Sequence, residues 1–200
     1  MRLQPGFVFA LALLTAACGD GVPAGFPRSD GGLSVDSGAV DGGSRVVTFL
    51  SDWMWAIDMP GYGPTERNMS NGDEVAGDGQ PIRLNGMMYA KGIGSHANSE
   101  IHALLNGKCS RLTIYVGVDD EITEGGSVIF QVFADSTMVF ESPTMSATTE
   151  TARVDVGLLG VGLLRLKLND AGDGITYDHG DWADPRITCD AGWTGATVSP

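Results

Sequence analysis

Short segments in which every second residue is apolar are the sequence feature that most constrains this fold. Apolar residues occupy the even positions of segment 111–118, and segment 163–168 repeats the pattern with Arg165 and Lys167 on the opposite face. This period of two is typical of strands with one buried face. Turn-forming pairs such as Asn85–Gly86 separate segments of this kind. The pattern predicts an all-β sandwich spanning residues 45–190.

The first 17 residues have the order of a secretory signal. Arg2 is followed by the apolar run 7–14 and by small residues that end at Ala17. The run is shorter than the roughly 20 apolar residues that span a membrane. Cys18 directly follows two alanines, which resembles a bacterial lipobox and implies that Cys18 is lipidated. The alternative is an ordinary signal peptide cut nearby, with Cys18 removed or left as a free thiol.

Residues 18–44 are predicted to form a flexible tether. Gly, Asp, Ser, Val, Ala and Pro dominate the segment, and no period of 2 or 3.6 is present. Such a segment buries too little apolar surface to offset the entropy of ordering it. Its average reach, at about 5–6 Å × √n, is roughly 28 Å. We therefore expect an exported protein, either a cell-envelope lipoprotein at the outer membrane or cell surface, or a secreted protein.

The charge balance argues against two classes of partner. Twelve Lys and Arg residues stand against 25 Asp and Glu residues, which gives a net charge of −13. This excess of carboxylates disfavours nucleic acid and anionic lipid as partners. It is compatible with neutral sugars and with divalent cations. We expect membrane contact only through the lipid anchor, and a monomeric protein.

Cysteine usage fits an exported domain. If Cys18 is lipidated, Cys109 and Cys189 remain as one pair, each at the edge of a strand-like segment. A disulfide between them would close a loop of about 80 residues and contribute roughly 4 kcal/mol to stability. The alternative is two buried free thiols.

Four motifs follow one another between Trp53 and Cys189. They read YAKGIGSHA at 89–97, VGVDDE at 116–121, GSVIFQVF at 126–133 and DAGDGITYDHGDWAD at 170–184. In this order and spacing they resemble the NPCBM family, also classed as carbohydrate-binding module family 51. The resemblance implies a jelly-roll β-sandwich of the galactose-binding-like type. It also implies a non-catalytic module that binds galactose-like residues of a glycan or polysaccharide.

The last motif supplies most of the candidate sugar contacts. Tyr177, His179, Asp181 and Trp182 combine aromatic rings, which stack on sugar C–H faces, with polar groups that bond hydroxyls. We expect them on a loop at one end of the sandwich, between a strand that ends near Leu168 and one that starts near Pro185. Trp182 has two readings, a sugar platform or a plug in the core.

Four further residues are candidate sugar contacts. Tyr62 lies between two glycines, Arg67 offers a planar donor fork, and His96 follows a stretch that contains two glycines. Asp120, in the second motif, is the fourth. For His96 the alternative is a structural histidine whose ring is paired with a neighbouring carboxylate.

Three adjacent carboxylates form a candidate cation site. Asp119, Asp120 and Glu121 follow a strand-like segment and repel one another unless a cation or donors compensate them. Ca²⁺ prefers oxygen ligands of this kind, and the family resemblance raises the expectation of a structural calcium. The alternative is a solvated acidic turn.

Motifs of common enzyme classes are missing from the sequence. There is no Gly-x-Ser-x-Gly elbow, no His-Glu-x-x-His zinc motif and no phosphate-binding loop. We therefore predict a protein that is not an enzyme. The alternatives are a structural or protein-interaction β-sandwich without sugar affinity and, less favoured, a small glycoside hydrolase that uses loop carboxylates.

Overall fold

The computed structural model describes residues 43–195. The expected signal peptide 1–17, the lipidation candidate Cys18 and the expected tether as far as residue 42 lie outside the described residues. Residues 196–200 lie outside them as well. Among the described residues, no helix is both long and apolar enough to cross a membrane.

Strands make up nearly all of the regular structure. One 3-10 turn, Leu50–Asp52, interrupts them early in the described chain. The strands are β1 Arg45–Phe49, β2 Ile57–Met59, β3 Glu66–Arg67, β4 Arg83–Leu84, β5 Met87–Met88, β6 Gly92–His96, β7 Ser99–Leu104, β8 Cys109–Val118, β9 Ile129–Ala134, β10 Thr137–Glu141, β11 Ala152–Gly157, β12 Leu163–Asn169 and β13 His179–Asp190.

Two antiparallel sheets form the sandwich. Sheet 1 has the order β11-β8-β13-β6-β3, with β1 also paired to β13, and sheet 2 has the order β10-β9-β12-β7-β2. β4 and β5 form a separate two-stranded ribbon. The all-β class and the jelly-roll sandwich expected from the sequence are confirmed.

The core lies between the two sheets and follows the alternation seen in the sequence. The even residues of β8 from Leu112 to Val118 are buried, and so are Leu164, Leu166 and Leu168 of β12. Phe130 of sheet 2 meets Trp182 of sheet 1 edge to face, with ring centroids 4.9 Å apart. Burial of these side chains supplies the main driving force for folding.

The predicted disulfide is confirmed. Cys109 and Cys189 are cross-strand partners at the ends of β8 and β13, and their sulfur atoms are bonded. The bond therefore links two neighbouring strands in the middle of sheet 1. Trp193, just beyond β13, packs against the main core, so the first residues of the expected tail 191–200 lie against the sandwich.

The last motif is placed differently from the sequence prediction. β13 begins at His179 rather than near Pro185, so only residues 170–178 form the loop after β12. His179, Asp181 and Trp182 are strand residues with fixed directions. Because successive strand residues face opposite sides of a sheet, they could not all point to one ligand.

Candidate functional site

Two histidines lie side by side at the end of sheet 1. His96 ends β6, His179 begins β13, and the two are direct cross-strand partners. Their ring centroids are 5.0 Å apart in an edge-to-face arrangement. Trp182 faces the core, so His179, three positions earlier in the strand, lies on the opposite, outer face of sheet 1. Both histidines are buried, although they sit on this outer face.

Two exposed tyrosines stand at the histidine pair. Tyr62 is 56% exposed, Tyr177 is 55% exposed, and the ring of Tyr62 lies 5.6 Å from that of His96. Tyr177 belongs to the loop after β12 and has a positive φ of 64°. Its ring lies over Gly125, where a Cβ atom would come within 2.8 Å of the ring carbon Cδ2. Glycine at this position therefore lets the tyrosine loop lie close to residues 125–126.

These side chains enclose one open cavity of about 290 Å³, which we call the tyrosine–histidine cavity. It is lined by Tyr62, Asp73, His96, Ile175, Thr176, Tyr177 and His179. Four of the predicted sugar contacts thus come together here: Tyr62, His96, Tyr177 and His179. Asp73, Ile175 and Thr176 were missed by the sequence prediction.

Asn71 holds one wall of the cavity in place. Its side-chain amide donates to the carbonyl oxygens of Pro64 at 2.7 Å and Tyr62 at 3.3 Å. Its side-chain oxygen accepts the backbone N–H of Asp73 at 3.1 Å, and its own carbonyl accepts from Nδ1 of His179 at 3.0 Å. Asn71 lies in a segment without hydrophobic periodicity, so no sequence pattern pointed to it.

The two imidazoles differ in their tendency to hold a proton. Burial lowers the pKa of His96, and the neighbouring His179 adds to this effect. Burial also lowers the pKa of His179, but the hydrogen bond to Glu121 and the charge of Asp73 outweigh it, so its pKa is raised. As the pH falls, His179 is therefore the first of the pair to become charged.

Trp182 is a core residue rather than a sugar platform. It is 1% exposed and its ring lies edge to face against Phe130. Its cross-strand partners Ile93 and Val116 also face the core. Trp182 is therefore a plug in the core, and the prediction that it contacts sugar is wrong.

Asp181 is equally inaccessible to a sugar. It is 1% exposed, on the outer face of sheet 1, between Gly94 and Gly117 of the neighbouring strands. A Cβ atom at Gly94 would meet the backbone of 69–71, and one at Gly117 would meet the side chain of Leu84. These covering segments close over Asp181 and exclude it from the cavity.

The buried Asp181 lies near another acid. Burial raises its pKa well above the ordinary value, and the adjacent carboxylate of Asp119 adds to the shift. Asp119 accepts the backbone N–H groups of Arg83 and Glu121, each at 2.9 Å, and so is held as the acceptor. Neither carboxylate oxygen of Asp181 has a hydrogen-bond partner among the described residues, and such a group is costly to bury as a charge, so burial favours its protonated form.

Arg67 and Asp120 lie outside the tyrosine–histidine cavity. The guanidinium of Arg67 stacks over Trp55 at 3.6 Å and donates to the carbonyl oxygen of Trp53 at 2.7 Å, so it anchors the chain after β1. Asp120 lines a separate groove beside Arg83, and its carboxylate accepts the N–H of Gly86 at 2.7 Å. Neither side chain is positioned for a sugar held between the tyrosines.

The expected calcium triad does not converge on one point. Asp119 accepts backbone N–H groups, Asp120 holds Gly86, and Glu121 reaches Nδ1 of His179 at 3.1 Å. Three carboxylates that each serve a different partner do not fit a common Ca²⁺ site. In the described part of the chain, the potential metal-ligand atoms that do lie close together belong to Asp73, His96 and His179.

Solved structures of carbohydrate-binding modules are similar to this chain in fold and sequence. A family 51 carbohydrate-binding module from the Clostridium perfringens family 95 glycoside hydrolase, solved with methyl-galactose, is 35% identical. The match covers 71% of this chain and 99% of that one, with a TM-score of 0.65. A second C. perfringens module, from ZmpB and solved with GlcNAc, is 28% identical with a TM-score of 0.66, over 74% of this chain and 32% of that one.

Longer relatives and a family model agree with this placement. A Renibacterium salmoninarum protein named for endo-alpha-N-acetylgalactosaminidase activity is 34% identical over 155 residues. The match covers 76% of this chain but 10% of that protein. Alpha-1,3-galactosidase B of Akkermansia muciniphila is 30% identical over 88% of this chain and 21% of its own length. The NPCBM/NEW2 domain model matches residues 46–188. The chain therefore belongs to the NPCBM/NEW2 family of carbohydrate-binding modules.

Proposed function

We propose that the tyrosine–histidine cavity binds a galactose-like residue of a glycan, and that the protein binds without catalysing a reaction. The observation that carries this proposal is the pairing of two exposed tyrosine rings with two buried imidazoles around one open cavity. Aromatic rings stack on the apolar face of a pyranose, and fixed nitrogen and oxygen acceptors bind its hydroxyls. The related module solved with methyl-galactose supports galactose as the first sugar to test.

Each cavity residue has a defined role in this proposal. Tyr62 and Tyr177 provide the stacking surfaces. In their neutral forms His96 and His179 accept hydroxyl hydrogens through Nε2, because Nδ1 of each ring donates to a backbone carbonyl. The carboxylate of Asp73, 3.4 Å from Nε2 of His179, accepts a further hydroxyl. Because a monosaccharide offers few heavy atoms, we expect affinity on the order of micromolar to millimolar.

The composition of the cavity favours binding over hydrolysis. Glycoside hydrolases use two opposed carboxyl groups across the scissile bond. The lining of this cavity contributes one carboxylate, that of Asp73, together with two imidazoles. This set suits retention of hydroxyl groups, which supports the non-catalytic reading over a small hydrolase.

We further propose that the module works outside the cell as a monomeric, tethered domain. The signal-like residues 1–17 would direct export, and a lipidated Cys18 followed by the tether 18–44 would hold the module clear of a bilayer. In that arrangement the lipid supplies the membrane contact, and the module holds glycan near the cell surface.

A binding experiment tests the sugar site directly. The parent protein should be retained on immobilised galactosides and displaced by methyl-galactoside. His96→Ala and Tyr62→Ala should each weaken binding, since loss of one neutral hydrogen bond or one aromatic stacking contact costs about 0.5–1.5 kcal/mol, which is roughly 2–13-fold. Asp120→Asn is the matched control, because it lies outside the cavity and should bind like the parent.

The result also separates the alternatives. Loss of binding in Asp120→Asn with retention in His96→Ala would place the site in the groove beside Arg83 instead. If the parent binds no glycan on a broad array, the protein is better explained as a structural or protein-interaction β-sandwich without sugar affinity. Thermal melts of each variant ensure that lost binding does not reflect unfolding.

A further inference from the structure

In both histidines of the cavity, the ring nitrogen Nδ1 lies against a backbone carbonyl oxygen. Nδ1 of His96 lies 2.8 Å from the carbonyl oxygen of Ala97, and Nδ1 of His179 lies 3.0 Å from that of Asn71. A carbonyl oxygen only accepts, so each Nδ1 carries the hydrogen. In the neutral rings both Nε2 atoms are therefore left with free lone pairs.

Glu121 reinforces this state at His179. Its carboxylate oxygen lies 3.1 Å from the same Nδ1. Metal-binding histidines are oriented in this way, with the second ring nitrogen donating to a carbonyl or carboxylate that fixes the ring and raises its basicity. The two rings of the cavity thus have outer partners of the kind found around metal ions.

A third donor lies against the pair. Oδ1 of Asp73 lies 3.4 Å from Nε2 of His179, and ligand atoms of Asp73, His96 and His179 all lie within 4.8 Å of one another. That oxygen is buried and has no hydrogen-bond partner among the described residues. Two ligands of a tetrahedral ion with bonds of about 2.0–2.1 Å are roughly 3.3 Å apart, which is close to the Asp73–His179 separation, and the His96 ligand atom lies within 4.8 Å of both.

We propose that Asp73, His96 and His179 bind a divalent transition-metal ion of the Zn²⁺ class. Two imidazole nitrogens and one carboxylate oxygen match the ligand preference of zinc, whereas calcium prefers an all-oxygen set. Three protein ligands leave a coordination position that faces the open cavity. Asp73, whose side chain is 40% exposed, has freedom to close on the ion.

The ion and the sugar should exclude each other. This part rests on the proposed function, since both ligands need the same Nε2 lone pairs and the same carboxylate. By linkage, sugar must weaken zinc binding by the same factor as zinc weakens sugar binding. Zinc would then act as an inhibitor of glycan retention rather than as a support for it.

The test uses the full chain, purified without a polyhistidine tag. Zn²⁺ is titrated by calorimetry, and Co²⁺ is used as a coloured probe of the coordination sphere. We expect one ion per chain, with binding weakened at least about tenfold in His96→Gln, His179→Gln and Asp73→Asn, because loss of even an outer partner costs roughly 10–100-fold. His102→Gln is the matched control, since it removes the third histidine of the chain, which pairs with Glu100 on sheet 2.

The outcomes distinguish this inference from the sugar proposal. Unsaturable zinc binding by the parent, or parent-like binding in both His96→Gln and Asp73→Asn, overturns the metal site. Zinc binding without any sugar binding contradicts the proposed function and supports the metal site. Sugar binding without zinc binding does the reverse. If both ligands bind and methyl-galactoside leaves zinc affinity unchanged, mutual exclusion is wrong.

Discussion

At the scale of single residues, Trp182 is held by its neighbours in the core. The fully buried ring meets Phe130 edge to face and has no path to the tyrosine–histidine cavity. Truncation leaves a large void, so Trp182→Ala should cost about 3–5 kcal/mol of unfolding free energy. The melting temperature should fall by roughly 6–20 °C.

The control for Trp182→Ala is Leu159→Ala, because Leu159 is an exposed apolar residue. Its effect should stay within about 0.5 kcal/mol. Loss of sugar binding by Trp182→Ala with an unchanged melting temperature would return Trp182 to the role of platform.

A second residue-scale prediction concerns Asp178, the loop residue directly before β13. Burial raises its pKa to about 6, and the charges of Asp173 and Asp170 add to the shift, although the backbone N–H of Ser127 opposes it. The folded state therefore holds the proton more tightly than the unfolded chain. Stability linked to this group rises as the pH falls from above 6 toward the unfolded value near 3.9.

Asp178→Asn removes that titration and keeps the oxygen that accepts from Ser127. The variant should be more stable than the parent at pH 7.5 and should lose this advantage by about pH 4. Chemical denaturation across this range measures the difference. Glu150→Gln, which changes an exposed carboxylate outside this loop, is the control. A difference between Asp178→Asn and the parent that does not vary with pH contradicts the argument.

At the scale of elements, β13 organises the molecule. It pairs with β8 and with β6 and β1 along its length, and the Cys109–Cys189 bond fixes its far end to β8. The same strand therefore carries His179 at one end and the disulfide at the other. The proposed sugar site therefore depends on a strand that is anchored away from it.

The disulfide prediction belongs to this scale. Because the bond closes a sequence separation of 80 residues, replacing both Cys109 and Cys189 by alanine should cost about 4 kcal/mol on the chain-entropy account. Denaturant unfolding under non-reducing conditions checks this value. Cys18→Ser is the control and should leave the folded domain unchanged. An equal loss of stability in that control, or none in the double variant, would refute the prediction.

At the scale of the whole molecule, membrane attachment is the property to test. Lipidation at Cys18 predicts that radiolabelled palmitate enters the full-length protein in a bacterial host and that Cys18→Ser abolishes the labelling. Ser34→Ala, in the predicted tether, should be labelled like the parent. Unchanged labelling of Cys18→Ser would exclude the lipobox reading.

Much of the molecule could be read from its sequence. The period of two in segments 111–118 and 163–168 fixed which residues of β8 and β12 face the core, because a strand has only two faces. The one remaining cysteine pair gave the disulfide. Motif order gave the family, and with it the residues Tyr62, His96, Tyr177 and His179, which meet in one cavity.

Other assignments were decided only by tertiary structure. Alternation shows that Asp181 and Trp182 face opposite sides of β13. It does not show that the segments around residues 69–71 and Leu84 cover Asp181 on the outer side. Those segments have no hydrophobic period, so their position depends on long-range contacts that a local pattern does not record. For the same reason, no local sequence pattern indicated that Asn71 and Asp73 belong to the site. The sequence determined the strands and their inward faces; chain segments distant in sequence decided which outward residues remain open to a ligand.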